Sequence, residues 1–168
     1  MTDVVFLVLL FLHIGGVILW MGAAVLSVSI LGPMMSKLSG PTKMEFMKII
    51  GPAFERYNIR NATIAIAAGL ILYAYITQVA TSLAPTSAGT PWLGVGIILA
   101  LVAYIVGWVI IRPTNHKLWA SMSQSPPAQG SGPTPEAAAL QKRLMASSGI
   151  QALLLLFALL FMVLGANL

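Results

Sequence analysis

Apolar residues fall in four long blocks along this chain, and most polar residues lie between them. The blocks run from Val4 to about Leu31, from Ala62 to about Val79, from Trp92 to Ile111 and from Ser148 to Leu164. A helix of roughly 17–25 apolar residues crosses the hydrocarbon core of a bilayer, so each block predicts a membrane-spanning helix. The first block is too long for a signal-peptide core of roughly 7–15 residues, and no basic residue precedes it. It is expected to persist in the mature protein. Between the first two blocks, Met44, Phe46, Met47, Ile49, Ile50 and Phe54 alternate with Lys43, Glu45, Lys48 and Glu55, bracketed by Pro41 and Pro52. This pattern predicts a short amphipathic helix lying along the membrane interface over residues 41–56. The stretch Ser123–Pro135, SQSPPAQGSGPTP, reads as a flexible, solvated loop reaching to about residue 137.

Composition sharpens this picture. The chain has 168 residues, 58% of them hydrophobic and 8% charged. Soluble domains carry roughly 25% charged residues, which excludes a water-soluble globular protein. Disorder needs the opposite balance. The fold class expected is all-α, an integral-membrane antiparallel four-helix bundle forming a single domain. With no cysteine, disulfides, thiolate metal sites and a cysteine nucleophile are excluded.

The net charge of +5 is a matter of topology rather than nucleic-acid binding. Lys37, Lys43, Lys48, Arg56 and Arg60 lie between the first and second blocks. Arg112, Lys117, Lys142 and Arg143 lie between the third and fourth. The other loop and both chain ends carry none. The positive-inside rule then predicts a multi-pass cell-membrane protein with cytoplasmic basic loops and both termini outside. The basic residues suit anionic lipid heads.

A short internal echo is present. The first block ends Gly32-Pro33-Met34-Met35-Ser36-Lys37-Leu38, and the third ends Arg112-Pro113-Thr114-Asn115-His116-Lys117-Leu118. Both contain P-x-x-x-K-L, 80 residues apart. Two helical hairpins related by a pseudo-twofold axis would produce it. A proline followed by lysine is also a common way to end a span at the cytoplasmic face.

His13 is the one ionisable residue expected at membrane depth, roughly 14 Å below the outer end of its helix at 1.5 Å per residue. Its helical face continues through Gly16, Trp20, Ala24 and Ser27, small residues that let a backbone or a flat ligand approach. Two readings stand. His13 is a structural histidine bonded to a carbonyl, a threonine or a tyrosine, with Tyr73, Tyr75 and Tyr104 at suitable depth. Alternatively, it is an axial haem ligand. Met162, in the outer half of the fourth block, would be a sixth ligand or a packing residue. His116, beside Arg112 and Lys117, reads as a solvated interfacial residue. A second haem there would have Arg60 and Arg112 for its propionates. The nine methionines form no M-x-x-x-M ladder through a span, and they read as packing and interfacial groups rather than a copper path. No carboxylate pair at depth, phosphate loop or Ser-His-Asp set is apparent.

The run Leu12-His13-Ile14-Gly15-Gly16-Val17-Ile18-Leu19-Trp20-Met21-Gly22 resembles the first helix of a group of four-helix membrane proteins. The group contains the membrane-bound protoporphyrinogen IX oxidase and the copper-resistance protein D domain. The likeness extends to Phe54-Glu55-Arg56-Tyr57-Asn58, Ala68-Gly69-Leu70-Ile71, Trp92-Leu93 and Lys142-Arg143-Leu144. It implies haem b bound through His13, with an electron-transfer, sensing or haem-handling role. The oxidase pattern W-x-H-x-K is absent, because Gly94 and Gly96 stand at its His and Lys positions, so oxidase activity is not implied. Expected partners are the lipid bilayer and a redox partner, a larger membrane complex or further copies of the chain. A non-catalytic accessory subunit and a copper or small-solute transporter are the alternative classes.

Overall fold

The computed structural model describes residues 3–124 and 134–168. Four helices within them are long and apolar enough to cross a membrane: α1 (Val4–Met35), α2 (Gly40–Gln78), α3 (Thr90–Met122) and α4 (Pro135–Asn167). The described residues contain no strand. This is the helical bundle of a multi-pass membrane protein. Most of the loop expected over 123–137 lies outside the described residues, and α4 already begins at Pro135, capped by the Thr134 hydroxyl.

The elements run up and down. α1 and α2 pack antiparallel along their lengths, from Asp3 against Tyr75 to Trp20 and Ala24 against Ala62. α3 and α4 form a second antiparallel hairpin, from Gly89 against Gly165 to Gly107 against Gln151. The hairpins meet through Gly32 against Met145 and through the Trp20 ring edge-on to Tyr104, with centroids 6.3 Å apart.

The interior is built from small residues. Ala23, Ala24, Ala62, Ala65, Ala100, Ala103 and Ala152 are buried, whereas Phe11 is 76% exposed and Ile98 62%. In lipid no hydrophobic force drives large apolar side chains inward. Helices associate instead through close backbone contact, and small residues permit it. Gly16 sits against the backbone of Ala65 and Gly165 against that of Leu93.

Both first helices of the hairpins widen near one end. Ser27–Leu31 and Gly107–Ile111 are π-helical turns, 80 residues apart. Pro33 and Pro113 explain them. Proline lacks an N–H and crowds the carbonyl four residues back, and one wide turn before it relieves the clash. The amides of Gly32 and Arg112 accordingly reach back five residues, to the carbonyls of Ser27 and Gly107. The echo read from P-x-x-x-K-L therefore has a structural counterpart. It fails beyond the proline, because α1 ends at Met35 whereas α3 continues and buries Leu118.

One expectation is corrected. The amphipathic stretch 41–56 is helical but is no separate element. It is the first part of α2, which runs through Pro52 without a break. α2 carries Phe54, Glu55 and Asn58 onto the lining of a cavity between the helices.

At the opposite end of the bundle, Asp3 caps α1. Its Oδ1 accepts from the amides of Val5 and Phe6, and its Oδ2 accepts from the Tyr75 hydroxyl at 2.5 Å. The Tyr75 hydroxyl, followed by the Phe6 amide, holds the Asp3 carboxyl below its ordinary value of 3.8. A carboxyl depressed on folding favours the folded state above its unfolded pKa, and that contribution is lost as pH falls through the folded pKa. A carboxyl titration followed by infrared or NMR is expected to place Asp3 below 3.8, with Tyr75→Phe moving it upward. An unchanged value in that variant would contradict the contact.

Candidate functional site

α1 and α2 bring His13 against its partner helix. Its Nδ1 lies 2.8 Å from the Ala65 carbonyl oxygen. A carbonyl only accepts, so Nδ1 carries the proton. The ring fills the space a side chain would take at Gly69, where an added Cβ would lie 2.6 Å from Nδ1. The helical spacing that aligned His13, Gly16 and Trp20 thus marks the α1–α2 seam. Of the partners considered from sequence, the carbonyl is the one found. Tyr75 bonds Asp3, and Tyr104 lies 3.0 Å from the Thr63 hydroxyl.

The four residues singled out for a cofactor have different neighbours. Gly16 is closed by the Ala65 backbone, and Met162 packs over Gly96 inside the other hairpin. Trp20 lines a cavity that lies toward the other end of the bundle. His13 has one property of a haem ligand. With Nδ1–H tied to a carbonyl, Nε2 of the neutral ring keeps its lone pair, the arrangement metal-bound histidines commonly show. The space over Gly16 is filled by Ala65 and that over Gly69 by the imidazole itself, so neither of these two glycines leaves room for a porphyrin.

All four helices contribute to the cavity, whose volume is about 190 Å³. The two wide turns border it: Ser27 and Leu31 come from one, Gly107 and Ile111 from the other. Such turns displace the neighbouring helix face, and they occur often at functional sites. Trp20, Tyr104 and Trp108 form its aromatic wall. Their rings meet edge to face, with centroids 6.3 Å apart in each pair.

The polar wall is centred on Glu55, whose side chain is 12% exposed. Its Oε1 accepts from Arg112 Nε at 3.2 Å and lies 3.1 Å from His116 Nε2. Arg112 also sits 4.7 Å above the Trp108 ring. Glu55 Oε2 is buried and has no hydrogen-bond partner among the described residues. Asn58, Asn115, Ser148 and Gln151 complete the polar lining. Gln151 is buried and donates its Nε2 to the Ala103 carbonyl at 2.9 Å.

Sequence reading put His116 among solvated interfacial residues. It is exposed, yet it is joined to Glu55 and packs against the Trp119 ring at 5.1 Å. Arg112 is taken up by Glu55 and the Trp108 face, and Arg60 is exposed. The Glu55 cluster was missed because Glu55 lay in a segment assigned to the membrane surface. The available signal was spacing. Glu55, Asn58 and Ala62 recur at intervals of three and four, one inward stripe of the long α2 helix.

The described residues contain no group of three or more His, Cys, Asp or Glu placed to hold a metal ion. No family model matches the chain, and no curated protein or solved structure matches it either. Fold and site together define a class: a four-helix bundle of membrane-spanning length with a cavity between its two hairpins.

Proposed function

We propose that this protein binds a small, largely apolar molecule in the cavity between its hairpins, as a membrane-embedded sensor or carrier. The observation carrying this reading is the cavity itself. It is formed by all four helices, lined by aromatic rings and bordered by both wide turns. Pockets that combine an apolar lining with a few convergent polar groups are the usual ligand sites of proteins. An apolar cavity of ~150 Å³ is enough to take up benzene. By the positive-inside rule, the basic residues flanking this end support a cytoplasmic position for it.

Toluene is the direct probe. In detergent, toluene is expected to raise the unfolding temperature of the wild type and to leave Ser148→Phe, which fills the cavity, unshifted. Equal shifts in both proteins would overturn the reading.

Haem b on His13, with an electron-transfer, sensing or haem-handling role, is the second reading. It is supported by the first-helix resemblance and by the Nδ1–H bond that leaves Nε2 basic. The closed α1–α2 seam argues against it, and no step is derived through a haem. Absorption spectra of protein purified from haem-replete cells, oxidised and reduced with dithionite, separate the readings. A Soret band lost in His13→Ala establishes the haem. A colourless protein removes it.

A further inference from the structure

The helices are joined differently within the hairpins and between them. Within each hairpin, main chain is the point of contact. Gly16 lies against the backbone of Ala65 and Gly165 against that of Leu93, and a Cβ added at Gly96 would lie 3.0 Å from the Ala158 carbonyl oxygen. His13 and Gln151 bond the carbonyls of Ala65 and Ala103. Backbones packed this closely cannot slide past each other without losing contact along their length. Across the hairpin boundary the glycines meet side chains instead: Gly32 the Met145 thioether, Gly51 the Trp119 ring. Among the described residues, the side-chain hydrogen bonds that cross it start on α2. They join Lys43 to Gln141, Thr63 to Tyr104 at 3.0 Å, and Glu55 to Arg112 and His116. Exposed side chains change rotamer within nanoseconds, and units joined through a small polar contact move relative to each other by default.

We infer that the hairpins move as two rigid units and that Glu55 with Arg112 is the latch between them, holding α2 to α3 beside the cavity. As a control on ligand entry this rests on the cavity reading above; the motion itself does not. Two features suit the pair to this role. The Arg112 and His116 side chains are 41% and 54% exposed, so water can compete for both bonds and each breaks thermally. Each partner of Glu55 also has a ring on its own helix. Arg112 lies 4.7 Å above Trp108, and His116 packs against Trp119. When Glu55 leaves, both stay in place on α3, ready to receive it again.

The chain has no cysteine, so paired spin labels can be introduced directly. Cysteines replacing the exposed Ser29 and Ala120 report between the hairpins. Ser29 with Ala53, and Ala120 with Ala146, report within them. In phosphatidylcholine nanodiscs, double electron–electron resonance is expected to show the long-distance fraction of the Ser29–Ala120 pair rising about two- to fivefold in Glu55→Gln, as loss of a partly exposed ion pair implies. Both pairs within hairpins should keep their wild-type distances. Arg112→Gln, at the more exposed partner, is expected to act alike and serves if Glu55→Gln does not fold. Raising salt from about 0.05 M to about 0.5 M should shift the wild type in the same direction, because salt screens exposed charges. Fluorine NMR of 4-fluorotoluene should show faster exchange in the opened variants than in the wild type. An unchanged Ser29–Ala120 distribution in both variants and in salt would overturn the latch. Equal broadening of the pairs within hairpins would overturn it too, since that marks a loosened fold. Widening without faster exchange would overturn its control of entry. The distances are read without ligand, so a protein that takes up no toluene fails the cavity reading alone.

Discussion

Gly16→Ala is expected to destabilise the bundle by about 1–3 kcal/mol, the usual range for forcing an extra methyl group into a packed core. The added Cβ would lie 2.9 Å from the Ala65 nitrogen and 3.0 Å from its Cα. These are backbone atoms of a long helix, so they cannot swing aside like a side-chain tip. α1 and α2 must separate along the seam, loosening the His13 and Ala62 contacts with it. Gly16→Leu is expected to fail to assemble. Gly22 is the control, since an added Cβ there meets nothing within 4 Å. Gly22→Ala removes only backbone freedom and should be neutral or stabilising by up to about 1 kcal/mol. Unfolding in mixed micelles, followed by circular dichroism, would measure both. A Gly16→Ala protein as stable as Gly22→Ala would refute the close approach.

The second large effect belongs to His13, and its sign depends on its neighbour. His13→Ala removes the bond to Ala65 O, and hydrogen bonds between membrane helices average about 0.6 kcal/mol. It also empties the space over Gly69, and deleting a packed side chain adds to that loss. Together the expected loss is about 2 kcal/mol, at the low end for large-to-small changes because the ring is only half-buried. Gly69→Ala should also destabilise the wild type, since the nearest atoms to its new Cβ all belong to the His13 ring, two of them within 2.7 Å. In a His13→Ala background that obstacle is gone, and Gly69→Ala should become neutral or favourable. A double-mutant cycle measures the reversal. Additive losses would mean that the ring does not occupy the Gly69 space.

How far the sequence could be read depended on the range of the interaction involved. The four blocks were legible because burial in hydrocarbon is a local property of each stretch, independent of what it packs against. The His13–Gly16–Trp20 stripe was legible because helical geometry alone puts those positions on one face. Its meaning was not. The same stripe of small residues serves a cofactor or a neighbouring backbone equally well. Only the tertiary structure shows that the backbone at Ala65 and Gly69 lies against it. The amphipathic stretch 41–56 was read as a surface element because its alternation of apolar and charged residues fits a lipid interface. It equally fits a helix whose apolar face looks into a bundle.

Read alone, the sequence carries the helical class, the number of long apolar helices and the repeated proline that widens α1 and α3. Each follows from hydropathy or from the backbone chemistry of a single residue. The tertiary structure alone decided that Glu55, 57 residues before Arg112 in the chain, meets it beside a cavity. It also decided that His13 closes a seam and that Met162 belongs to the other hairpin. Those facts depend on the register between helices. That register is set by where glycine and alanine let two backbones touch, and no single helix carries that information.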